Sequence, residues 1–226
     1  MKSLFYKPIK ITHPDNDVFV TSDLHFHQKC DSWDNPLWKM RGYDSIQEHY
    51  DGIVKNWNSI VKNTSIVFNL GDSIFQTGGR ENLLKMFDDL NFHHMFISRG
   101  NHGSGWDRVF QEIESNVLQI GEKTVIFCPN LFEGVINGQS VVFSHYFLAS
   151  WNGQNSSRGG SYCLHGHSHQ TLLRGELADY ISRVRAMDVG IDATGFPFSF
   201  KEIKDKLSKI TPYAPDHHDS KTANPF

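Results

Sequence analysis

Val18-Phe19-Val20-Thr21-Ser22-Asp23-Leu24-His25 joins a short β-branched and aromatic run directly to an acid and an imidazole. A buried strand that ends this way delivers polar side chains to the edge of a sheet. The same junction recurs along the chain. Ser65-Ile66-Val67-Phe68-Asn69-Leu70 leads to Gly71-Asp72, and Met95-Phe96-Ile97-Ser98 leads to Arg99-Gly100-Asn101-His102. The run Ser140 to Ser144 ends at His145, and Tyr162-Cys163-Leu164 precedes Gly166-His167-Ser168-His169. Between the first three islands lie helical patterns. Ser45 and Glu48 form a capping box ahead of Ile46, Tyr50, Ile53, Val54, Trp57, Ile60 and Val61, and Leu83, Leu84, Phe87 and Leu90 mark a second helix. Three successive βα units imply a mostly parallel sheet with its polar islands gathered beyond the carboxyl edge.

After residue 115 the pattern turns β-rich. Val117 to Ile120, Thr124 to Cys128, Leu131 to Ile136 and Ser140 to Ser144 are short apolar runs between Gly, Asn or Pro turns. Asn137-Gly138 is the clearest hairpin signal, because both residues tolerate positive φ. Asn152 to Gly160 reads as an exposed loop near the site, Val184 to Val189 as a further strand, and Ser199 with Glu202 as the cap of a last helix carrying Ile203, Leu207 and Ile210. Residues 1–210 are expected to form one domain and 211–226 a frayed tail.

Composition excludes some partners. The chain has 226 residues, 38% hydrophobic and 21% charged, with a formal charge of -3. That balance is ordinary for a globular protein and offers no general attraction to nucleic acid or an anionic membrane. Cys30, Cys128 and Cys163 are too few and scattered for a disulfide framework, which suits a reducing cytosol. The first ten residues lack an apolar leader core and no later run approaches a membrane span, so a cytoplasmic location is expected.

Imidazole and carboxylate are the borderline-hard donors suited to Mn, Fe, Zn and Ni. A lone His at a strand end is more often hydrogen-bonded than a ligand, but five islands in order reverse that reading. The series D-x-H, G-D, G-N-H, a lone His after a strand, and G-H-x-H resembles the calcineurin-like metallophosphoesterase superfamily over roughly Val18 to Ala193. The flanking Thr21-Ser22-Asp23-Leu24-His25-Phe26-His27, Asn56-Trp57-Asn58, Ser144-His145-Tyr146 and Leu164-His165-Gly166-His167-Ser168-His169 are similar to a small bacterial and phage subgroup.

The resemblance implies an α/β fold, a four-layer αββα sandwich of two mixed β-sheets flanked by helices. It implies two divalent metal ions. One would be held by Asp23, His25, Asp72 and His169, the other by Asp72, Asn101, His145 and His167, with Asp72 bridging. Alternate residues of an extended chain point to one side, so D-x-H is expected to turn both donors to one ion. The implied activity is phosphoester hydrolysis, more readily of diesters, by a hydroxide bridging the ions, with His102 protonating the leaving oxygen. His27, Arg99 and Arg158 are candidate substrate contacts. His165 is expected to face away from the ions, and Asp188 and Asp192 to serve turns or supporting hydrogen bonds. Two positions depart from the family pattern: Gly103 and Phe75 stand where many members carry acids that orient the catalytic histidine. Partners are therefore a small phosphoester or nucleotide. A nuclease or cyclic-nucleotide phosphodiesterase is the alternative enzyme, and a metal-stabilised protein that binds a phospholigand without cleaving it is the alternative outside catalysis.

Overall fold

The computed structural model describes residues 8–28, 36–75, 79–102, 106, 116–156 and 159–211. Within them the runs read as strands pair into two sheets. The first contains β2 (Val18–Thr21), β3 (Ile66–Asn69), β4 (His94–Ser98), β5 (Val117–Ile120), β6 (Lys123–Cys128) and β11 (Phe198–Ser199) in the order β11-β2-β3-β4-β6-β5. The second contains β1 (Ile9–Ile11), β7 (Leu131–Ile136), β8 (Gln139–Ser144), β9 (Tyr162–His165) and β10 (Ala186–Asp188) in the order β1-β7-β8-β9-β10. Both sheets are mixed. β2, β3, β4 and β6 run parallel, as the βα rhythm predicts, while β5 and β11 close the edges antiparallel. The second sheet has parallel β8, β9 and β10 beside the antiparallel β7–β8 hairpin. Asn137 and Gly138 turn that hairpin at φ 48° and 83°, the conformation expected of a two-residue primed turn.

Period-two alternation sorts the strands' side chains into layers. In β2, Phe19 packs on one side of its sheet with Tyr50, Ile53 and Trp57, while Val18 and Val20 pack on the other with Phe143 and Leu164. The second sheet turns Val141 and Phe143 inward and Val142 outward, toward Trp151. Helices α2 (Ile46–Ile60) and α3 (Gly79–Asp89) cover the first sheet. Phe68 stacks between Phe96 and Phe143, with ring centroids at 4.9 and 4.5 Å, and pins the two sheets together. Such aromatic pairs add about 0.5–1.5 kcal/mol each beyond their buried area.

Capping chemistry sets the helix starts. Ser45 accepts from the Glu48 N–H, but the Glu48 carboxylate accepts from the Asp44 N–H, one residue before the cap, so only half of the predicted box forms. The last helix, α5 (Phe200–Leu207), has the complete Ser199–Glu202 box and buries Phe200, Ile203 and Leu207. Short elements escape sequence reading: β1, β11, α1 (Leu37–Met40) and α4 (Ala178–Ser182) each have two to five residues, too few to show a period. The strand expected from Val184 to Val189 narrows to β10, because Val184 closes a turn on Ile181 after α4. The expectations for Cys30 and for the tail at 212–226 lie outside the described residues. None of the described helices is long and apolar enough to cross a membrane.

Candidate metal centre

Every predicted island lies beyond the carboxyl end of its strand, and the two sheets bring those ends together. Ser22 and Gly190 form a parallel bridge between the first and second sheets, with Ile191 N–H donating to the Ser22 carbonyl at 3.0 Å. Two donor groups result. One contains Asp23, His25 and His169; the other contains Asp72, His145 and His167; within each group the potential ligand atoms lie within 4.8 Å of one another. Asp72 Oδ2 also reaches toward the first group, 3.8 Å from His25 Nε2 and 3.2 Å from His145 Nε2. Asn101 Oδ1 lies 2.8 Å from His145 Nε2.

Each carboxylate divides its labour between two oxygens. Asp72 Oδ1 accepts from the backbone N–H groups of Asn101 and His102 at 2.8 and 2.9 Å, leaving Oδ2 to face the imidazoles. Asp23 Oδ2 accepts from the His167 N–H at 2.9 Å, and its Oδ1 is buried with no protein partner. His25 is equally placed: both ring nitrogens are buried without a hydrogen bond. His145 Nδ1 meets the Leu70 carbonyl at 2.9 Å, so a neutral ring turns its Nε2 lone pair toward the oxygens of Asn101 and Asp72. Lone pairs converging in a buried space are unfavourable unless a proton or cation lies among them. The donor set therefore fits divalent ions.

Electrostatics agree with that fit. Burial pushes Asp23 up to about 6, with the Asp72 and Asp188 carboxylates adding to the rise against His169 and His145. Asp72 is also buried, but its contact with a protonated His145, a ring that the same contact raises against desolvation, and the His102 N–H outweigh burial and hold it down to about 2. Burial drives His25 to about 3, so this imidazole is neutral and its lone pair is available. Two nearby carboxylates forced apart in this way are what a bound dication would relieve.

The islands are not extended strands, and this corrects the alternation expected of D-x-H. Asp23, His25, Asp72, His167 and His169 all have φ between 46° and 66°. The left-handed conformation is uncommon for residues with a Cβ, costs on the order of 1–3 kcal/mol each, and persists where surrounding structure enforces it. Here the enforcement is lacing between islands: Asp23 N–H donates to the Gly71 carbonyl at 3.0 Å and His25 N–H to the Asp72 carbonyl at 2.9 Å. Close approach also demands glycine. A Cβ on Gly166 would overlap the Ser22 side chain and stand 2.6 Å from Asp23 Oδ2.

A family model for calcineurin-like phosphoesterases matches residues 17–210. The chain belongs to this family. No curated protein matches the chain. Among solved structures, a protein of unknown function from Aquifex aeolicus, AQ665, superposes with a TM-score of 0.56 at 16% identity. The match covers 83% of this chain and 97% of that one, and at that identity it speaks to the fold alone.

Around the two donor groups the remaining candidates sort by position. His102 Nε2 lies 4.0 Å from Asp72 Oδ2, and its ring packs on Phe75 with centroids at 5.1 Å. His27 lies against Tyr50 of α2 at 5.2 Å, outside both donor groups. Arg99 contributes its backbone carbonyl to the Asp72 N–H at 3.3 Å and its side chain is half-buried. Arg158 and Gly103 lie outside the described residues. His165 is buried against Phe147, with Nδ1 on the Gly166 carbonyl. Asp188 accepts from Ser168 Oγ and from the Gln170 and Gly190 N–H groups, and Asp192 meets His169 Nδ1 at 2.6 Å. Two supporting residues carried no motif in the sequence. Arg41 binds Asp192, and Asn130 clamps Gly100 by exchanging two hydrogen bonds of 2.9 and 3.1 Å. Tyr146 stands edge-on to both His145 and His167 at 4.9 Å and is 42% exposed.

Proposed function

We propose that the protein is a dinuclear metal-dependent phosphoesterase acting preferentially on phosphodiesters. The observation that carries this reading is the pair of three-residue donor groups with Asp72 Oδ2 reaching both. Asp23, His25, Asp72 and His169 would hold one ion, and Asp72, Asn101, His145 and His167 the other; Mn, Fe, Zn and Ni all suit these donors. When bound, two such ions supply Lewis acidity and an activated water for in-line displacement at phosphorus.

The chain's own residues supply the rest. Asp72 keeps its charge at neutral pH and is locked by two amides, so its position is set before any ligand arrives. His102 is one-third exposed at the edge of the donor groups, where it gives a proton to the departing oxygen as the P–O bond breaks and the water's oxygen bonds to phosphorus. Diester preference is supported by Tyr146 and Phe75, which flank the donors and offer aromatic faces to the second organic substituent of a diester. A nucleotide substrate fits those faces equally well. The buried Cys128 and Cys163 support a reducing cytosol as its compartment.

The test is reconstitution of metal-free protein with Mn, Fe, Zn or Ni, assayed on bis(p-nitrophenyl) phosphate, p-nitrophenyl phosphate, cyclic nucleotides and single-stranded DNA. Metal-dependent cleavage, fastest on diesters and abolished by Asp72→Asn, is expected. Tight binding of an intact ester with no turnover would replace the enzyme with the non-catalytic reading, which Phe75 favours because it packs on His102 where an acid would orient it.

A further inference from the structure

Arg41 follows α1 and belongs to none of the islands, yet all five of its N–H donors are used. Nε donates to Asp192 Oδ1 at 2.7 Å, and one terminal nitrogen donates to Asp192 Oδ2 at 2.8 Å and to the Asp23 carbonyl at 2.7 Å. The other reaches the Leu24 carbonyl at 2.9 Å and His49 Nε2 at 3.0 Å. The guanidinium therefore grips the backbone of the Asp23-Leu24-His25 island at the carbonyls of Asp23, which is held at positive φ, and Leu24. Through its bidentate bond it also fixes Asp192, whose Oδ2 accepts from His169 Nδ1. A proton held on Nδ1 leaves the Nε2 lone pair of His169 for the donor group.

The Asp23–Leu24 backbone and the His169 ring are thus both positioned by one ion pair that is 10% and 17% exposed. The second group has a different support: His145 is oriented by the Leu70 carbonyl, and Asp72 by the Asn101 and His102 amides. We infer that Arg41 and Asp192 are positioning residues that set the ion affinity of the Asp23–His25–His169 group separately from that of the Asp72–His145–His167 group. This inference rests on the reading of both groups as metal sites. Carboxylates that hold a ligating imidazole by its second nitrogen commonly control affinity by 10–100-fold.

The test uses the full chain and Mn²⁺ as the probe. Asp192→Asn must turn its NH₂ toward either an Arg41 donor or His169 Nδ1, and Arg41→Lys keeps the charge but loses the fork. Stepwise affinities by equilibrium dialysis should show one of two sites weakened by about 10–100-fold and the other changed by less than about threefold. At Mn²⁺ concentrations that fill both wild-type sites, the exchange-coupled spectrum of an ion pair should give way to the six-line spectrum of an isolated ion. In metal-free protein, ¹⁵N–¹H spectra should report the Nδ1–H tautomer of His169 in wild type and its loss in Asp192→Ala, which leaves Nδ1 without its acceptor. Urea unfolding of the metal-free variants separates these effects from a general loss of fold, and Arg41→Lys serves if Asp192→Asn does not fold. Two unchanged affinities, equal weakening of both sites, or an unchanged His169 tautomer would each overturn the inference. A wild type that binds no Mn²⁺ would overturn the metal reading itself, and the clamp with it.

Discussion

Gly166→Ala adds one methyl group to a residue that is not itself a candidate ligand, and it should nevertheless disable the first donor group. Gly166 has no positive φ to lose, so the whole effect is steric. The new Cβ would overlap Ser22 and crowd Asp23 Oδ2, the atom that accepts from the His167 N–H at 2.9 Å. Overpacking a tight site costs about 1–3 kcal/mol, and losing a hydrogen bond to a charged oxygen costs about 1.5–3 kcal/mol. The sum is about 2.5–6 kcal/mol, or roughly 5–24 °C in Tm for a chain of this size. Ser22→Gly alone should cost about 1–2 kcal/mol, through backbone entropy and its long hydroxyl bond to the Gly71 carbonyl. Combined, the two should cost less than their sum by about 2 kcal/mol, because the second removes most of what the first collides with. Urea unfolding of the four metal-free proteins measures this cycle, and Mn²⁺ titration should follow the same order. A Gly166→Ala protein within about 0.5 kcal/mol of wild type, or strictly additive costs, would refute the close-approach reasoning.

Other outcomes follow from separate features. His102→Gln should lower kcat for diesters by about 10²–10⁴ while leaving Mn²⁺ stoichiometry unchanged, because the ring lies outside both donor groups. Burial and the neighbouring Arg41 guanidinium hold His49 at about 3 in the folded state. The unfolded chain takes up that proton below about pH 6.5, so stability should fall with pH through this window by about 1.4 kcal/mol per unit from His49. Comparing urea midpoints at pH 7 and pH 5, His49→Gln should flatten the dependence by about one proton. Asn137→Ala should lower stability by about 1–2 kcal/mol in thermal melts, since Asn137 caps its turn and donates to the His13 carbonyl and Asp15 carboxylate at 2.6 Å.

How much was legible in the sequence depended on the range of the signal. Val18 to Thr21, Ile46 to Val61 and Asn137-Gly138 carry strong local patterns, and each appears as a strand, helix or turn at its expected place. The islands could be named because each follows an apolar run, and β2, β3, β4, β8 and β9 end in that order at one edge. Their backbone could not be read. Asp23, His25 and His167 sit at positive φ because hydrogen bonds from distant islands hold them there, and no local pattern records such partners. Arg41 was invisible for the same reason: its acceptors are the carbonyls of residues 23 and 24 and a carboxylate 151 residues away.

The split use of the two carboxylates has a consequence for how such a chain drifts over generations. Asp23 ties its own loop to that of His167, and Asp72 ties its loop to that of Asn101 and His102. A replacement in one loop leaves an amide stranded in another, and the stranded loop in turn loses the shape that aims its imidazole. Tolerated variation should therefore arrive in matched sets, one substitution in each of two laced loops, while the spacers between loops vary freely. The five islands should therefore change as one unit even though 146 positions separate Asp23 from His169.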